Sequence, residues 1–222
     1  MGLLDTLLGR TKPVPSNLDA LFALPTASVT LQSAAGMTCS GRAGVCYKPP
    51  SGQGFEDMEG EVVKLLGMDG AALRKVADSF GYQWLVVEDP DIEALVTQVH
   101  MVNSSLSDAG WGPQLLCSVF GLAHLGGTEE SDPAAGGGDA TAPGGDGTGD
   151  DTTPTVGPGT VRTSTAFLVY LFKRGTFYPF VPTGQEKRDT EEELRIKSLV
   201  AGDLEIEADL TRWFPLWDLP VG

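Results

Sequence analysis

Cationic and metal-seeking side chains are scarce in this sequence. Of its 222 residues only 15 are lysine or arginine, against 30 acids, for a formal net charge of −15. A field of that sign repels nucleic-acid phosphates and anionic headgroups, which excludes a general nucleic-acid-binding or polybasic membrane role. Any anion would need a local site. His100 and His124 are the two histidines, with no HExxH or comparable spacing, so no metal centre is expected. Cys39, Cys46 and Cys117 are odd in number and form no CxxC pair, so neither a disulfide framework nor a zinc ribbon is indicated. A reducing cytoplasm fits that usage.

Long apolar runs are missing too. Nothing approaches the roughly 20 apolar residues of a membrane span, and the first residues lack the basic region and cleavage site of a secretion signal. "MGLLDT" fits the myristoylation pattern Met-Gly-x-x-x-Thr, but so short a pattern recurs by chance. Also lacking are a nucleophile elbow, a P-loop, GxGxxG after a strand, kinase motifs and zincin spacing. Cys46 and Cys117 sit in apolar runs without a base and read as small hydrophobes. Glu88, Asp89 and Asp91 are explained by helix capping. The expectation is therefore a protein with no catalytic residues, cofactor or metal.

What is present divides clearly. Residues 126–162 contain almost no large apolar side chain and carry the acids Glu129, Glu130, Asp132, Asp139, Asp146, Asp150 and Asp151. Burial cannot offset the ordering entropy of such a stretch, so it is expected to be a disordered insert in one domain made of residues 1–125 and 163–222. The flanks "LLCSVFGLAHL" and "STAFLVYLF" both read as apolar strands, and the simplest geometry makes them neighbours.

Upstream, "SVTLQ" (Ser28 to Gln32) and "GVCYK" (Gly44 to Lys48) read as strands, followed by a helix from Phe55 to Gly67. "ALRKVADSF" and "YQWLVVE" form a strand pair turned at Gly81, followed by a helix from Asp89 whose stripe is Ile92, Leu95, Val96, Val99, Val102 and Leu106. This strand, strand, helix order suggests a pseudo-repeat. Strand pairs joined by tight turns predict an α+β domain, an antiparallel sheet with helices mainly on one face.

The most legible stretch is "YLFKRGTFYPFVPTGQEKRDTEEEL". Phe167 to Phe172 are wholly apolar, as in a strand buried on both faces, and Lys173-Arg174-Gly175-Thr176 supplies a turn. Pro179 and Pro182 place the return strand at an edge. Thr190 with Glu193 fits a capping box for a helix starting near Asp189. A basic turn, an aromatic edge and a helix N-terminus therefore come together. They predict a partner-binding surface of Lys173, Arg174, Phe177, Tyr178, Phe180, Lys187 and Arg188, with the rings as outward anchors and the cations reading acidic groups. The competing expectation is a core hairpin with a solvated turn.

At the ends, "LLDTLLGR" puts Leu3, Leu4, Leu7 and Leu8 on one helical side, expected to dock on its own domain. "LTRWFPLWDLP" offers Leu210, Trp213, Phe214 and Trp217 as core caps, with an exposed Trp213 and Trp217 pair as an interface candidate.

Taken together, "LLGRTKPVPSNLDALFALPTASVTL", "GRAGVCYKP", "DSFGYQWLVVEDPD", "KRGTFYPFVPTG" and "RDTEEELR" resemble the PspA-associated protein PspAB family of actinobacteria and haloarchaea. The resemblance spans nearly the whole chain except the Gly/Asp-rich insert. It implies a cytoplasmic adaptor or regulator in the phage-shock, or envelope-stress, response. Such a protein would bind a PspA-like coiled-coil protein, act beside an HtpX-like membrane metallopeptidase, and reach the inner face of the membrane through a partner rather than by insertion. The rival expectation is a small-ligand-binding or hydrolytic α+β domain, which would show an enclosed polar pocket with converging titratable groups.

Overall fold

The computed structural model of the protein describes residues 17–49, 60, 64, 72–125 and 164–222. The expected helix from Phe55 to Gly67, apart from the helical positions Gly60 and Lys64, lies outside them, as do the leucine-rich N-terminus and the insert.

The described chain opens with a 3-10 turn, Leu18–Ala23, running into helix α1, Leu24–Ala35. The stretch expected as a strand at Ser28 to Gln32 is inside this helix. Five residues can be read with period two, but over a longer window the buried positions are Leu21, Leu24, Ala27 and Leu31, spaced three and four apart. Val29 faces water. Pro25 occupies the first turn and Gly36, at φ 61°, caps the end. The first member of the suggested pseudo-repeat therefore falls away.

Strands β1 (Met37–Tyr47), β2 (Ala72–Ala77), β3 (Gln83–Glu88), β4 (Leu115–His124), β5 (Ala166–Leu171) and β6 (Thr176–Phe180) form one sheet in the order β2-β3-β1-β4-β5-β6. All five pairings are antiparallel. The β2–β3 turn passes through Gly81, and β4 pairs with β5 so that the insert connects two sheet neighbours. Helix α2 (Ile92–Leu106) starts three residues later than expected, because Asp91 is its cap and accepts from Glu93 and Ala94 N–H. Its stripe is as expected, with Leu95, Val96, Val99, Val102 and Leu106 buried and Ile92 packed against the core.

A two-stranded ribbon, β7 (Pro182–Gly184) and β8 (Lys187–Arg188), follows β6. Helix α3 (Thr190–Val200) comes next, capped by Asp189 rather than Thr190. Glu193, expected to complete a capping box, turns to other partners described below. Among the described residues no helix is long and apolar enough to cross a membrane.

The helices pack on one face of the sheet, giving the α+β architecture expected. The core there joins Leu31, Val96 and Ile196 to Val45, Phe120 and Tyr170. The opposite face carries Trp84, Val86, Val119, Phe167, Val169, Tyr178 and Phe180, yet it is not wet. The irregular C-terminal segment crosses it with Trp213, Leu216, Trp217, Leu219 and Val221. That strap explains why β5 reads as apolar at every position. Its last turn is tied down by Ser164 Oγ, which donates to Val221 O at 2.8 Å beside Ser40 and over Gly121, where a Cβ would stand 2.1 Å from that hydroxyl.

Candidate functional site

The outward rings of the expected surface are corrected by the structure. Phe177, Tyr178 and Phe180 are all buried. On an edge strand covered on both sides, the alternation of side chains has no solvent face to offer. Phe177 points to the helical side and packs on Tyr170, with ring centroids 5.1 Å apart. Tyr178 and Phe180 point to the strap. Tyr178 stacks on Trp213 at 5.9 Å and its hydroxyl donates to Phe214 O at 2.9 Å, while Phe180 meets Trp217 at 5.3 Å. The edge position predicted from the prolines is observed, but even that edge is partly occupied: Phe177 N–H donates to Glu205 O, and Phe177 O accepts from Glu207 N–H.

The cations separate into two groups, and both arginines already have acidic partners inside the chain. Arg174 Nε donates to the carboxylate of Glu207, which also accepts from Thr176 Oγ1 at 3.1 Å and Asp209 N–H at 3.1 Å, and faces Arg212 at 3.5 Å. Arg188 Nε donates to both carboxylate oxygens of Glu193 at 2.9 Å, and Arg188 Nη1 donates to Trp213 O at 2.7 Å. The same Glu193 accepts the buried Val181 N–H at 2.9 Å. Lys173 and Lys187 are exposed and have no ion pair among the described residues. The basic turn and the helix start are therefore each organised around one buried glutamate.

Burial alone would raise the Glu207 carboxyl. The Asp209 N–H, followed by Arg174 and Thr176, outweighs it and holds the group below the ordinary glutamate value. Because the folded carboxyl titrates below the unfolded one, its contribution to stability is present at neutral pH. It is lost as pH falls from about 4 through the folded value. Urea unfolding midpoints followed from pH 7 to pH 2.5 should therefore drop more steeply for the native protein than for Glu207→Gln; parallel curves would contradict this.

Lys173 and Arg174 do share a site, but with different company from that expected. They border a groove of about 670 Å³ between the strap and the sheet, at the end where the β2–β3 and β5–β6 turns emerge. Its floor is Trp84, Leu116, Cys117 and Tyr178, and its walls include Phe80 and the strap residues Phe214 to Trp217. Phe80 and Phe214 are 59% and 55% exposed, two large rings facing water at the lips of one apolar cleft. Arg212 joins Lys173 and Arg174 among the lining residues, whereas Lys187 and Arg188 are not part of it.

Several of the groove's polar groups are already engaged. Asp78 accepts from the N–H groups of Phe80 and Tyr82 at 2.9 Å and from Trp84 Nε1 at 3.0 Å. The Cys46 thiol is pushed far above its ordinary value, first by its hydrogen bond with Cys117 and then by burial. Burial likewise pushes the Tyr178 phenol up. Among the described residues no group of three or more His, Cys, Asp or Glu side chains is placed to hold a metal ion.

Of the residues predicted from the sequence, Lys173, Arg174 and Tyr178 line this site, whereas Phe80 and Arg212 were missed. Phe214 and Leu210 were expected to cap the core, whereas both are exposed. The signal within reach was "LTRWFPLWDLP", whose aromatic density exceeds what one buried Trp213 needs.

A family model described as PspA associated protein B matches residues 1–132 and 154–221, leaving unmatched most of the Gly/Asp-rich insert. The chain belongs to this family. Among the curated proteins and among the solved structures, nothing matches. PspA associated protein B membership fits the resemblance carried by the motif segments, and the matched region takes in both turns, the strap and both buried glutamates.

Proposed function

We propose that the protein is a noncatalytic cytoplasmic adaptor of the PspA-related envelope-stress response, which captures a PspA-like coiled-coil partner in the groove. The partner would supply an apolar helical anchor flanked by acids. The carrying observation is the pairing of exposed Phe80 and Phe214 over an apolar cleft rimmed by Lys173, Arg174 and Arg212, in a chain otherwise strongly acidic. An amphipathic helix laid into such a groove gains from aromatic anchors, and Lys173, the rim cation with no ion pair among the described residues, favours an acid beside them.

Family membership supports PspA as the partner class. The HtpX-like metallopeptidase implied by the resemblance gains nothing from the family match or the groove and is no part of the proposal. A small-ligand pocket is the second reading, because the volume lies in the range of small-molecule sites. Hydrolysis is less well supported: Asp78 already accepts three N–H donors, and the Cys46 thiol is held protonated.

Titration of a PspA-like protein against Phe80→Ser with Phe214→Ser tests the proposal. Loss of two interface anchors should weaken binding about 30-fold or more, the scale of roughly 2 kcal/mol or more for a hot spot. Undiminished binding by a variant with native circular dichroism rejects the groove.

A further inference from the structure

We propose that Cys46 and Cys117 are a reversible oxidation site in the floor of the groove, closing to a cross-strand disulfide when peroxide enters and shielded when a partner is seated. The oxidation stands on the two cysteines alone; the shielding rests on reading the groove as the capture site.

Placement selects this pair. Cys46 of β1 and Cys117 of β4 are register partners on adjacent antiparallel strands, both are free thiols, and a hydrogen bond joins them. Directly opposed residues on such strands have Cα atoms about 4.5–5.5 Å apart, within the about 4.4–6.8 Å that a disulfide spans. Both side chains belong to the core on the strap side of the sheet, with Trp84 and Tyr178. Cys39 packs with the core on the helical side, so the sheet itself separates it from the other two.

Access comes from the groove. Cys46 and Cys117 are 3% and 6% exposed, yet both line the cleft. Hydrogen peroxide is little larger than water and can reach that floor, whereas a helix laid across the cleft would cover both sulfurs.

The chemistry closes in two steps. Cys46 keeps its proton and Cys117 is the more exposed of the two, so the first attack falls to Cys117. Its thiolate attacks one peroxide oxygen, the O–O bond breaks, and the departing hydroxide takes up the proton the thiol released. Cys117 is then a sulfenic acid, oxidised by two electrons, and the peroxide is reduced. The Cys46 sulfur next attacks the Cys117 sulfur. The S–S bond forms, the S–O bond breaks, and the leaving hydroxide departs as water with the Cys46 proton. Two thiols and one peroxide give one disulfide and two waters, and a dithiol reductant reverses the bond by exchange.

The test treats the full chain with hydrogen peroxide, unfolds it, blocks the remaining thiols with N-ethylmaleimide and locates the labels by mass spectrometry. The expected product carries its label on Cys39, with Cys46 and Cys117 recovered as a cross-linked peptide pair that dithiothreitol releases. Labels on all three cysteines, a link through Cys39, a link between copies, or sulfinic acid at either position would overturn the proposal. Cys46→Ser should make Cys117 take up dimedone, because its sulfenic acid has lost the thiol that resolves it. No gain in dimedone labelling over the native chain would overturn the order of attack. A PspA-like protein that fills about nine grooves in ten should slow disulfide formation about 10-fold, in proportion to the open fraction. An unchanged rate with the partner bound would overturn the shielding. The two readings fail distinguishably: the disulfide is measured without any partner, whereas Phe80→Ser with Phe214→Ser reports whether the partner uses the groove.

Discussion

Replacing Arg188 with Met is expected to lower the unfolding free energy by about 3–5 kcal/mol, the range for removing one partner of a buried ion pair. The reason is the asymmetry of the pair. The Glu193 side chain is 1% exposed and that of Arg188 22%, so loss of the guanidinium leaves a carboxylate in the core with the Val181 N–H as its remaining donor. The arginine also lies over the Phe180 ring, 5.3 Å from its centroid, and fastens the strap through Trp213 O. Removing both charges, with Arg188→Met and Glu193→Met, should recover much of the loss, because no buried charge then lacks a partner. Lys187→Met, one residue away but exposed, should stay within about 0.5 kcal/mol of the native protein. Urea unfolding at pH 7 reads all three. A cost below about 1 kcal/mol for Arg188→Met would show that the pair does not organise this region.

Trp213→Ala should cost a similar amount, about 3–5 kcal/mol, through the cavity left by a large buried side chain. Trp213 is the pin of the strap: it stacks on Tyr178, its indole N–H donates to Glu207 O at 3.0 Å, and Lys197 lies 5.9 Å above its ring. Without it, residues 214–217 lose their seat and one wall of the groove goes with them. Partner affinity should therefore fall at least 10-fold in the fraction still folded, more than loss of stability alone explains. Trp213→Phe, which keeps a ring against Tyr178 but loses the N–H, should retain most of both properties. Thermal unfolding and partner titration together separate the two effects. Full affinity in a folded Trp213→Ala variant would mean that the strap does not form the binding wall.

Much of the sheet was legible in the sequence because its signals are local. Gly81 and Gly175 mark two tight turns between apolar runs, and both turns occur with positive φ. The pairing of β4 with β5 followed from two apolar flanks around a stretch that cannot bury anything. Helix α1 was misread where a five-residue window suited period two, although Leu24, Ala27 and Leu31 carried the longer helical period.

The site was less legible because its determinants are distant in sequence. Whether Tyr178 and Phe180 face water depends on a strap more than thirty residues downstream, and nothing within the hairpin reports that cover. The partner of Arg174 is Glu207, one carboxylate among 30, singled out only by the bridge that brings Ile206 beside Phe177. Phe80 sits in a turn and Phe214 in an irregular tail, so neither shares a period with the cations beside them. The basic and aromatic residues gathered in this hairpin thus have separate roles: Arg174 and Arg188 bind the chain's own buried glutamates, the hairpin rings build the core, and Lys173 and Arg174 border a groove whose exposed rings come from elsewhere.

Hydrogen exchange of the full chain with and without a PspA-like partner tests the groove most directly. The account predicts slowed exchange at residues 78–84, 171–174 and 212–217, the backbone around the two exposed phenylalanines and the basic rim. Slowing confined to the β2 edge or the outer side of α1, with those three stretches unchanged, would contradict it.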